Sequence, residues 1–548
     1  MRNLKLETIM KKYIFTLLAA LAITLSSCEN DFDAKIYGSL STTNFPKTET
    51  DYELYMLECY IPFCNHWGYT FSGYNQRQWY SATGGVYKYF DACTDETAAW
   101  TLGTWGNGWT ALTSANFEDF KLCGRGADDN FPNHFEKVRD VTRYTQIIKT
   151  LEEADDASLP AEKKRRLVAE TRLLRGLNMY YLLHVFGPVP VIVDVNLVND
   201  AEAEKLLARP TLDEMTQYIT DDFEYAAANM VEDPGQQGRY NADYARVCLM
   251  RHYLNEGYHM QGYYQKAYDL YGQFHGHYSL YQEGENPYAD QFKIANKFNC
   301  EVVMSMSCNS DATGDGKTGN FNPLSYYVTS GDWANTDDQG NHTYVYPQGG
   351  GWAQTLNISK YYYDTFEPGD LRAKTIETSY YSKSRKRWIT ADDLGDIWNG
   401  FAINKYPVET STNFQGTDVP LARWADVMLM YAEADVRLHN AVSASAIRQV
   451  NEVRHRAGLA DLSSDKTSSV NAFLDALLTE RGHEFHYEGF RKIDMIRFGK
   501  YYTIMNAIGR TPSSEYIPLP DYAVKQAAEN GITLKQYFTR DNYDGPKK

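Results

Sequence analysis

The sequence predicts a mainly α-helical protein, a degenerate tetratricopeptide-repeat scaffold with long irregular loops. Three observations support this fold class. Apolar residues recur at helical rather than strand spacing, the helical segments form pairs joined by short links, and small residues stand where paired helices would touch. Stacked helix pairs of about 34 residues with small residues at their crossings are typical of tetratricopeptide repeats.

The helical elements follow in chain order. Apolar residues such as Ile147 and Leu151 share one face of a helix over 137–156, and a second helix over 161–186 ends before Gly187, a typical helix stop. The other helices are predicted at 211–231, 241–257, 262–274, 421–439, 444–457 and 470–488.

Small residues indicate where paired helices cross. Gly257 would meet Ala267, and Ala432 and Ala434 would meet Ala446. Because the full repeat consensus is absent, an irregular helical domain stays open as the alternative. Both alternatives are mainly helical.

Two long segments between the helical blocks lack apolar periodicity. Residues 66–110 and 309–358 are rich in Gly, Asn, Asp, Ser, Tyr and Trp, which predicts long ordered loops. Loops of this length inside a compact chain are usually functional, because a rigid scaffold presents them. We therefore expect ligand contacts in these two segments.

The N-terminus predicts export and a lipid anchor. Lys11 and Lys12 precede an apolar run over 13–25, which ends just before Cys28. A cationic start, a short apolar stretch and small residues before the cut are typical of a signal peptide, and this run is too short to span a bilayer. We expect a signal peptide over 1–27, lipidation of Cys28 and a single mature domain over 28–548. A plain secreted protein with an incidental cysteine is the alternative.

Composition argues against a nucleic-acid partner and against general binding to membrane surfaces. The formal net charge is -17, whereas phosphate binding depends on Lys and Arg. The 44 Tyr and 10 Trp suit both packed cores and stacking against flat ligand faces. None of the 8 Cys has metal-site spacing, and at least one of the seven besides Cys28 has no partner in the chain. The local pairings to test are Cys59 with Cys64, Cys93 with Cys123 and Cys300 with Cys308.

Five segments in this order behind Cys28 resemble the SusD/RagB family of outer-membrane nutrient-binding lipoproteins. They are residues 42–60 (TTNFP, TDYEL and CY), 169–190 (AETRLLRG, YYLL and FGPVP), 423–459 (RWADVMLMYAEA and VNEVRHRAGL), 480–499 (ERGHEF, EGFRKID and RFG) and 517–520 (IPLP). Gly482 and His483 depart from the basic residue and the similar polar residue that the family usually carries there.

The resemblance implies a SusD-like fold, with a tetratricopeptide core and irregular surface loops. It also implies a lipid-anchored protein on the outer membrane that faces the cell exterior, sits as a lid on a SusC-like TonB-dependent transporter and captures oligosaccharides for import. Some members of the family take peptides or other cargo. Family resemblance therefore indicates the role more firmly than the ligand.

The carboxylates near the C-terminus could suggest a metal site or acid–base chemistry. Glu480, Glu484 and Glu488 are four residues apart, and Glu484 lies between His483 and His486. A zinc-binding H-E-x-x-H motif needs a spacing of four between its histidines, and here the spacing is three. We predict instead that these carboxylates lock the C-terminal helices through ion pairs with the nearby basic residues Arg481, Arg491 and Arg497.

No nucleophile elbow, Walker loop or dinucleotide fingerprint is present in the sequence. Glycoside hydrolysis needs two carboxylates about 5 to 10 Å apart across a bound sugar, and Asp95 with Glu96 is the first pair to check. We expect no catalysis, because the resemblance is to a non-enzymatic family.

The first candidate ligand platform lies in residues 94–110. Trp100, Trp105 and Trp109 are interrupted by glycines, and indole rings on such a loop suit stacking on the apolar face of a pyranose ring. Asp95 and Asn107 would supply hydrogen bonds to sugar hydroxyls. The alternative is that these tryptophans plug the loop against the helical core, since Trp is highly buried on average.

The second candidate platform lies in the other predicted loop and consists of the aromatic residues Tyr326, Tyr327, Trp333 and Trp352. Asp311 and Asp315 nearby faintly suggest a structural calcium ion, but their spacing does not meet the D-x-D-x-D-G pattern. We expect no cofactor and no catalytic metal.

Together these observations predict a cell-surface lipoprotein that binds an oligosaccharide or polysaccharide and delivers it to a SusC-like TonB-dependent transporter. A binder of peptide or another nutrient in the same role is the nearest alternative. A surface glycosidase and a pure helical-repeat scaffold are the alternatives from other classes.

Overall fold

The computed structural model describes residues 45–65, 78–81, 85–100, 106–118, 134–309, 320–322, 324–343, 351, 356–409 and 415–540, without the side chains of 106–108 and 326. By internal contacts the chain divides into residues 1–51 and residues 52–548. The predicted signal peptide over 1–27 and the lipidation site Cys28 lie outside the described residues. One mature domain over 28–548 stays a prediction.

The described chain is mainly α-helical. Its α-helices are α1 (Glu49–Leu57), α2 (Gly106–Thr113), α3 (Lys137–Glu153), α4 (Ala161–Phe186), α5 (Ala201–Lys205), α6 (Leu212–Asn229), α7 (Ala242–Glu256), α8 (Tyr263–Leu270), α9 (Pro287–Asp290), α10 (Leu324–Val328), α11 (Lys360–Tyr363), α12 (Trp424–His439), α13 (Ala444–Arg456), α14 (Val470–Phe485), α15 (Arg491–Arg497), α16 (Tyr501–Ala507) and α17 (Asp521–Glu529). A short π-helix covers Tyr87–Asp91.

In the part of the chain that the structure describes, six short strands form three antiparallel pairs. They are β1 (Val302–Met306), β2 (Ile376–Glu377), β3 (Tyr380–Ser382), β4 (Arg387–Ile389), β5 (Ala402–Ile403) and β6 (Val419–Arg423). The pairs are β1 with β6, β2 with β5 and the hairpin of β3 with β4. In the first pair Val302 lies opposite Arg423, so the middle of the chain is joined to the start of α12.

Consecutive long helices pack against one another, as in a helical repeat. Helix α4 contacts both α3 and α6, α7 contacts α6 and α8, and α12 contacts α8, α13 and α14. These are the helices that the sequence predicts, and their bounds agree with the prediction to within a few residues. The mainly α fold class is confirmed.

Small residues allow this close packing. A Cβ added at Gly176 of α4 would come within 2.8 Å of the Phe223 ring on α6, and one added at Gly257 would come within 2.4 Å of the Tyr264 ring on α8. Ala434 of α12 and Ala446 of α13 are fully buried. Close packing at Gly257 is therefore against Tyr264, and the predicted contacts of Gly257 with Ala267 and of Ala432 and Ala434 with Ala446 stay predictions.

The ends of the helices follow local sequence signals. Gly187 follows α4 with a φ of 73° and donates its N–H to the Leu183 carbonyl at 2.8 Å, and such a left-handed backbone favours glycine. Thr211 and Glu214 form a capping box at the start of α6. These signals explain why the two long helices could be bounded from sequence.

Two details differ from the sequence prediction. The segment 66–110, predicted as a loop, contains the π-helix Tyr87–Asp91 and the start of α2, and the segment 309–358 contains α10. The helix predicted from residue 421 starts at Trp424, because residues 421–423 belong to β6. Among the described residues, none of the helices has the length and apolar composition that crossing a bilayer requires.

Candidate ligand-binding site

The first predicted platform begins in a segment held by the C-terminal part of the chain. The π-helix Tyr87–Asp91 ends at Asp91, a fully buried carboxylate. Asp91 accepts hydrogen bonds from the backbone N–H groups of Gly489 at 2.8 Å and Arg491 at 3.3 Å. Burial raises the pKa of Asp91 to about 8, although those two N–H groups act in the opposite direction.

Asp95 is bound within the fold. It is only 2% exposed, and its two oxygens accept hydrogen bonds from Nε of Arg491 at 2.9 Å and Nη2 at 2.8 Å. Its backbone carbonyl also accepts the Ser359 hydroxyl. A ligand that used the Asp95 carboxylate would have to displace a buried guanidinium group, which favours a positioning role for Asp95 over direct contact with a sugar.

Glu96 is also committed to the C-terminal segment. Its Oε1 accepts the backbone N–H of Tyr487 at 2.6 Å, and Oε2 has no hydrogen-bond partner among the described residues. Burial, followed by the charge of Asp91, raises the pKa of Glu96 well above its usual range. Asp95 and Glu96 are thus bound to two different residues of segment 487–491, which we call the anchor of the first platform. They do not face each other across a space for a sugar, as the two carboxylates of a glycosidase would.

Trp100 precedes α2 and Trp109 lies within it, and both are almost completely buried, with exposed fractions of 5% and 3%. The Thr113 hydroxyl oxygen accepts the Trp100 backbone N–H at 2.9 Å, and this hydroxyl donates to the Trp109 carbonyl at 2.9 Å. The Trp100 indole N–H has no acceptor among the described residues. This nitrogen is closed to solvent, so a ligand oxygen would reach it only after the surrounding residues moved.

Two further predicted residues of this platform cannot be placed. Trp105 lies outside the described residues, and Asn107 is described only as part of the α2 backbone. Their contact with a ligand stays a prediction.

In the second predicted platform, two of the four aromatic side chains are buried and the other two are not described. Trp333 is 1% exposed and stacks on Tyr380 with ring centroids 4.3 Å apart and planes 8° apart, and Tyr327 is also buried. These two rings build the core beneath the second segment. The Tyr326 side chain and the whole of Trp352 lie outside the described part of the chain.

The C-terminal carboxylates form a buried ion-pair cluster, as predicted. Arg423 binds Glu484 at 2.7 Å and Glu301 at 2.6 Å, and Arg456 binds the same two carboxylates. All four side chains are at most 1% exposed. Burial alone would raise the pKa of Glu484, but the charges of Arg456, Arg423 and Arg372 hold it at about 2.

The predicted partners in this cluster are wrong. Glu480 binds Arg372 and Arg454, and Glu488 binds Lys405 and Arg423. The three arginines proposed from sequence have other carboxylates, namely Asp426 and Asp494 for Arg481, Asp95 for Arg491, and Glu433 and Asp494 for Arg497. Pairing by proximity in sequence fails because tertiary packing brings distant charges closer.

The histidines of this region are structural. His483 stacks on Phe366 with centroids 4.0 Å apart, and its Nε2 lies 2.8 Å from the Thr365 hydroxyl. Burial lowers the pKa values of His483 and His486 well below the usual range. Within the described ranges, no group of His, Cys, Asp and Glu is arranged to hold a metal ion. Asp311 and Asp315 lie outside those ranges, so the weak calcium hypothesis stays a prediction.

No disulfide joins the six cysteines in the described part of the chain. The pairings of Cys59 with Cys64 and Cys300 with Cys308 are therefore wrong, and the buried Cys93 thiol donates to the Tyr89 carbonyl at 3.1 Å. Cys123 lies outside the described residues.

Sequence reasoning missed one exposed aromatic side chain. Trp388, in β4, is 41% exposed and is the most exposed of the described tryptophans. The signal in the sequence is the run of basic residues directly before it, residues 383–387 (KSRKR), in an otherwise acidic chain.

Comparison with known proteins finds several related sequences. The chain is 27% identical over 385 residues to a SusD-like protein of Bacteroides ovatus, across 66% of this chain and 64% of that protein. It is 26% identical over 450 residues to the starch-binding protein SusD of Bacteroides thetaiotaomicron, across 73% of each chain.

Solved structures show the same fold. A laminarin-binding SusD-like protein aligns with a TM-score of 0.66 at 19% identity and covers 90% of this chain and 99% of its own. A surface glycan-binding protein A of Bacteroides thetaiotaomicron, in complex with laminarihexaose, aligns with a TM-score of 0.64 at 18% identity and covers 89% of this chain and 99% of its own. A model of the SusD family matches residues 215–540, which is more than half of the sequence. The chain therefore belongs to the SusD family.

Proposed function

We propose that this protein binds an oligosaccharide or polysaccharide at the cell surface and delivers it to a SusC-like TonB-dependent transporter without cleaving it. Membership of the SusD family is the observation that carries the proposal. A relative named as a starch-binding protein and a structural neighbour in complex with laminarihexaose support a glycan as the ligand class. The buried, paired state of Asp95 and Glu96 agrees with binding rather than hydrolysis.

For the ligand site, we propose the surface near Trp100, which at 5% exposure is the least buried of the predicted contact residues whose side chains the structure describes. Trp105, Asn107, Tyr326 and Trp352 are retained as proposed contacts. Asp95, Trp109 and Trp333 are proposed to act from beneath the site, because each is at least 97% buried. A shallow site of this kind suits micromolar to millimolar affinity, about -4 to -8 kcal/mol, since cargo must be released again.

The test is a panel of polysaccharides in affinity gels, with product analysis of the same mixtures. Retention without products supports binding, product release would establish a glycosidase, and retention of peptides alone would replace the glycan. No retention of any probe would leave a scaffold. Trp105→Ala should weaken glycan binding by roughly ten- to hundredfold if its ring stacks on a sugar.

Location and partner need separate measurements. Cys28→Ala should move the protein from the membrane fraction to the soluble fraction, because the acyl chains would be its anchor. Purification of the wild-type protein from outer membranes in mild detergent should bring down a TonB-dependent transporter. A Cys28→Ala protein that stays in the membrane would contradict the lipoprotein proposal.

A further inference from the structure

The hairpin of β3 and β4 is a cationic surface on an acidic protein. Every residue from Lys383 to Trp388 is exposed, and four of these six carry a positive charge, whereas the whole chain has a formal net charge of -17. A surface whose charge is opposite to that of the rest of the molecule attracts ligands that the remainder repels.

Three of these four cations have no ion pair with a described carboxylate. Arg387 binds Asp393 at 2.6 Å, and the Lys383 ammonium donates to the Gly331 carbonyl at 3.1 Å. Arg385 and Lys386 have no ion pair with any described carboxylate. The charge of Arg385 contributes to a lowered pKa at Asp332 and Asp393, so it lies within electrostatic reach of both without binding either. Burial and then the charges of Asp338 and Asp337 raise the pKa of Tyr381, so these two carboxylates lie near the Tyr381 side of the hairpin.

The turn is held rigidly from below. Asp332 accepts the Ser384 backbone N–H at 2.8 Å and the Ser382 hydroxyl at 2.5 Å through its carboxylate, and its carbonyl accepts the Lys383 N–H at 2.8 Å. The backbone that presents the cations is therefore already ordered, which lowers the entropy lost when a ligand binds.

Lys386 occupies an unusual position in this turn. Its φ is 50°, a left-handed conformation that glycine or asparagine adopts at lower cost. The backbone is strained at Lys386, and the charged side chain of this residue is exposed at the tip of the hairpin. Strain of this kind points to a functional role for the side chain.

Trp388 supplies a ring next to the cations. It lies opposite Tyr381 across the hairpin, with ring centroids 5.9 Å apart and planes at 81°. The neighbouring cross-strand pair, Tyr380 and Ile389, is buried on the other face, at 3% and 0% exposure. On the Trp388 face Tyr381 is only 7% exposed, so Trp388, at 41% exposure, is the ring of this hairpin that faces solvent.

We propose that the hairpin Tyr380–Ile389 is a contact site for acidic polysaccharides, separate from the Trp100 surface. Trp388 stacks on the apolar face of a sugar ring, and Lys383, Arg385 and Lys386 pair with the carboxylate or sulfate groups of that ring or its neighbours. The inference rests on the proposed glycan-binding function and names the charge class of the glycan.

The surface favours a polysaccharide over an anionic lipid bilayer. Binding to a bilayer interface needs a continuous apolar face that inserts among the acyl chains, in addition to cations. Here a single exposed indole stands beside polar and charged residues, which matches one sugar ring with its acidic substituent.

The experiment compares acidic and neutral polysaccharides on the full chain. The four probes are polygalacturonate and chondroitin sulfate, with laminarin and starch as the neutral pair. Vesicles containing anionic phospholipid are measured separately as the bilayer comparison. The variants are the double substitution Arg385→Gln with Lys386→Asn, which keeps a residue that tolerates the left-handed backbone, and Trp388→Thr, which keeps a strand-forming residue. Lys525→Gln, an exposed lysine on α17, is the matched charge control.

We expect the wild-type protein to prefer the acidic probes and to lose this preference as salt is raised. The double variant should bind the acidic probes roughly tenfold more weakly at low salt, with neutral probes and thermal melting unchanged. Trp388→Thr should weaken binding of the acidic probes at all salt concentrations, and Lys525→Gln should match the wild type.

Three results would overturn the inference. They are equal binding of acidic and neutral probes by the wild type, hairpin variants that bind acidic probes as the wild type does, and variants that lose binding only to vesicles containing anionic phospholipid. In each case retention of neutral glycans would leave the proposed function standing. Failure of the wild type to retain any of the four probes would count against the proposed function and this inference together.

Discussion

Two regions of this molecule that are rich in basic residues place their positive charges in opposite environments, one buried and one exposed. Around Glu484, the guanidinium groups of Arg372, Arg423 and Arg456 are at most 1% exposed and each binds two or more carboxylates. In the hairpin at 383–387 the cations are exposed, and three of the four have no ion pair with a described carboxylate. A basic run in a sequence is therefore structural where packing supplies carboxylates and available for ligands where it does not.

The largest effect should come from removing one charge of the buried cluster. Glu484→Gln removes a carboxylate that Arg423 and Arg456 share and leaves them Glu301. Because the buried positive charge is then incompletely paired, we expect a loss of about 3 to 5 kcal/mol in the free energy of unfolding, measured with urea. Arg387→Gln in the hairpin is the control and should leave stability unchanged. Equal losses in the two variants would contradict the distinction between the two regions.

The same contrast applies to tryptophan. Trp109 is 3% exposed, so Trp109→Ala should cost about 3 to 5 kcal/mol of stability through the cavity that it creates. Trp388→Thr removes a ring that is 41% exposed and should change thermal stability little. A stable Trp109→Ala variant would return that ring to the list of direct ligand contacts.

A pH series compares two buried carboxyl groups, those of Asp91 and Glu484. The pKa of Asp91 is raised to about 8 from 3.8, so the folded state holds its proton and stability should fall as pH rises from about 4 to about 8. Glu484, whose pKa is held at about 2 against an ordinary 4.5, acts in the opposite sense. Its stabilisation is present above about 4.5 and is lost as pH falls through about 2.

The measurement is urea unfolding of the wild type and Asp91→Asn between pH 5 and pH 7. Asn imitates the protonated acid, so the variant should gain roughly 2 to 3 kcal/mol relative to the wild type over these two pH units, from about 1.4 kcal/mol per unit. A constant difference across the series would mean that Asp91 is ionised in the fold.

The smallest expected effect is a gain of stability in the hairpin. Lys386→Gly relieves a φ of 50° and should stabilise the protein by about 1 kcal/mol, measured by thermal unfolding. The same change should weaken binding to acidic polysaccharides if the lysine charge is used there. A loss of stability would mean that the lysine makes a stabilising contact.

Local signals explain how much of the fold the sequence could predict. The helices over 161–186 and 211–231 carry their own periodicity and stop or cap residues, so no tertiary information was needed. Helix α2 was missed because its sequence, GNGWTALT, opens with two glycines and has weak local helix propensity. Packing of Trp109 outweighs that propensity.

The candidate site was harder to predict because burial is a tertiary property. Trp100 and Trp109 were identified as aromatic and loop-borne, but nothing in the sequence shows that Thr113 joins their backbones. Likewise Arg423 finds Glu484 across 61 residues, so the structural role of the C-terminal carboxylates could be predicted while their partners could not.

The anchor of the first platform also imposes an order on folding. Asp91, Asp95 and Glu96 take their hydrogen-bond partners from residues 487–491, almost 400 positions later. As the chain is synthesised from its N-terminus, the segment before Trp100 waits for nearly the whole protein before its carboxylates can be buried with their partners. The Trp100 surface should therefore be among the last parts to form, and a chain truncated before residue 487 should lack it even if the central helices fold.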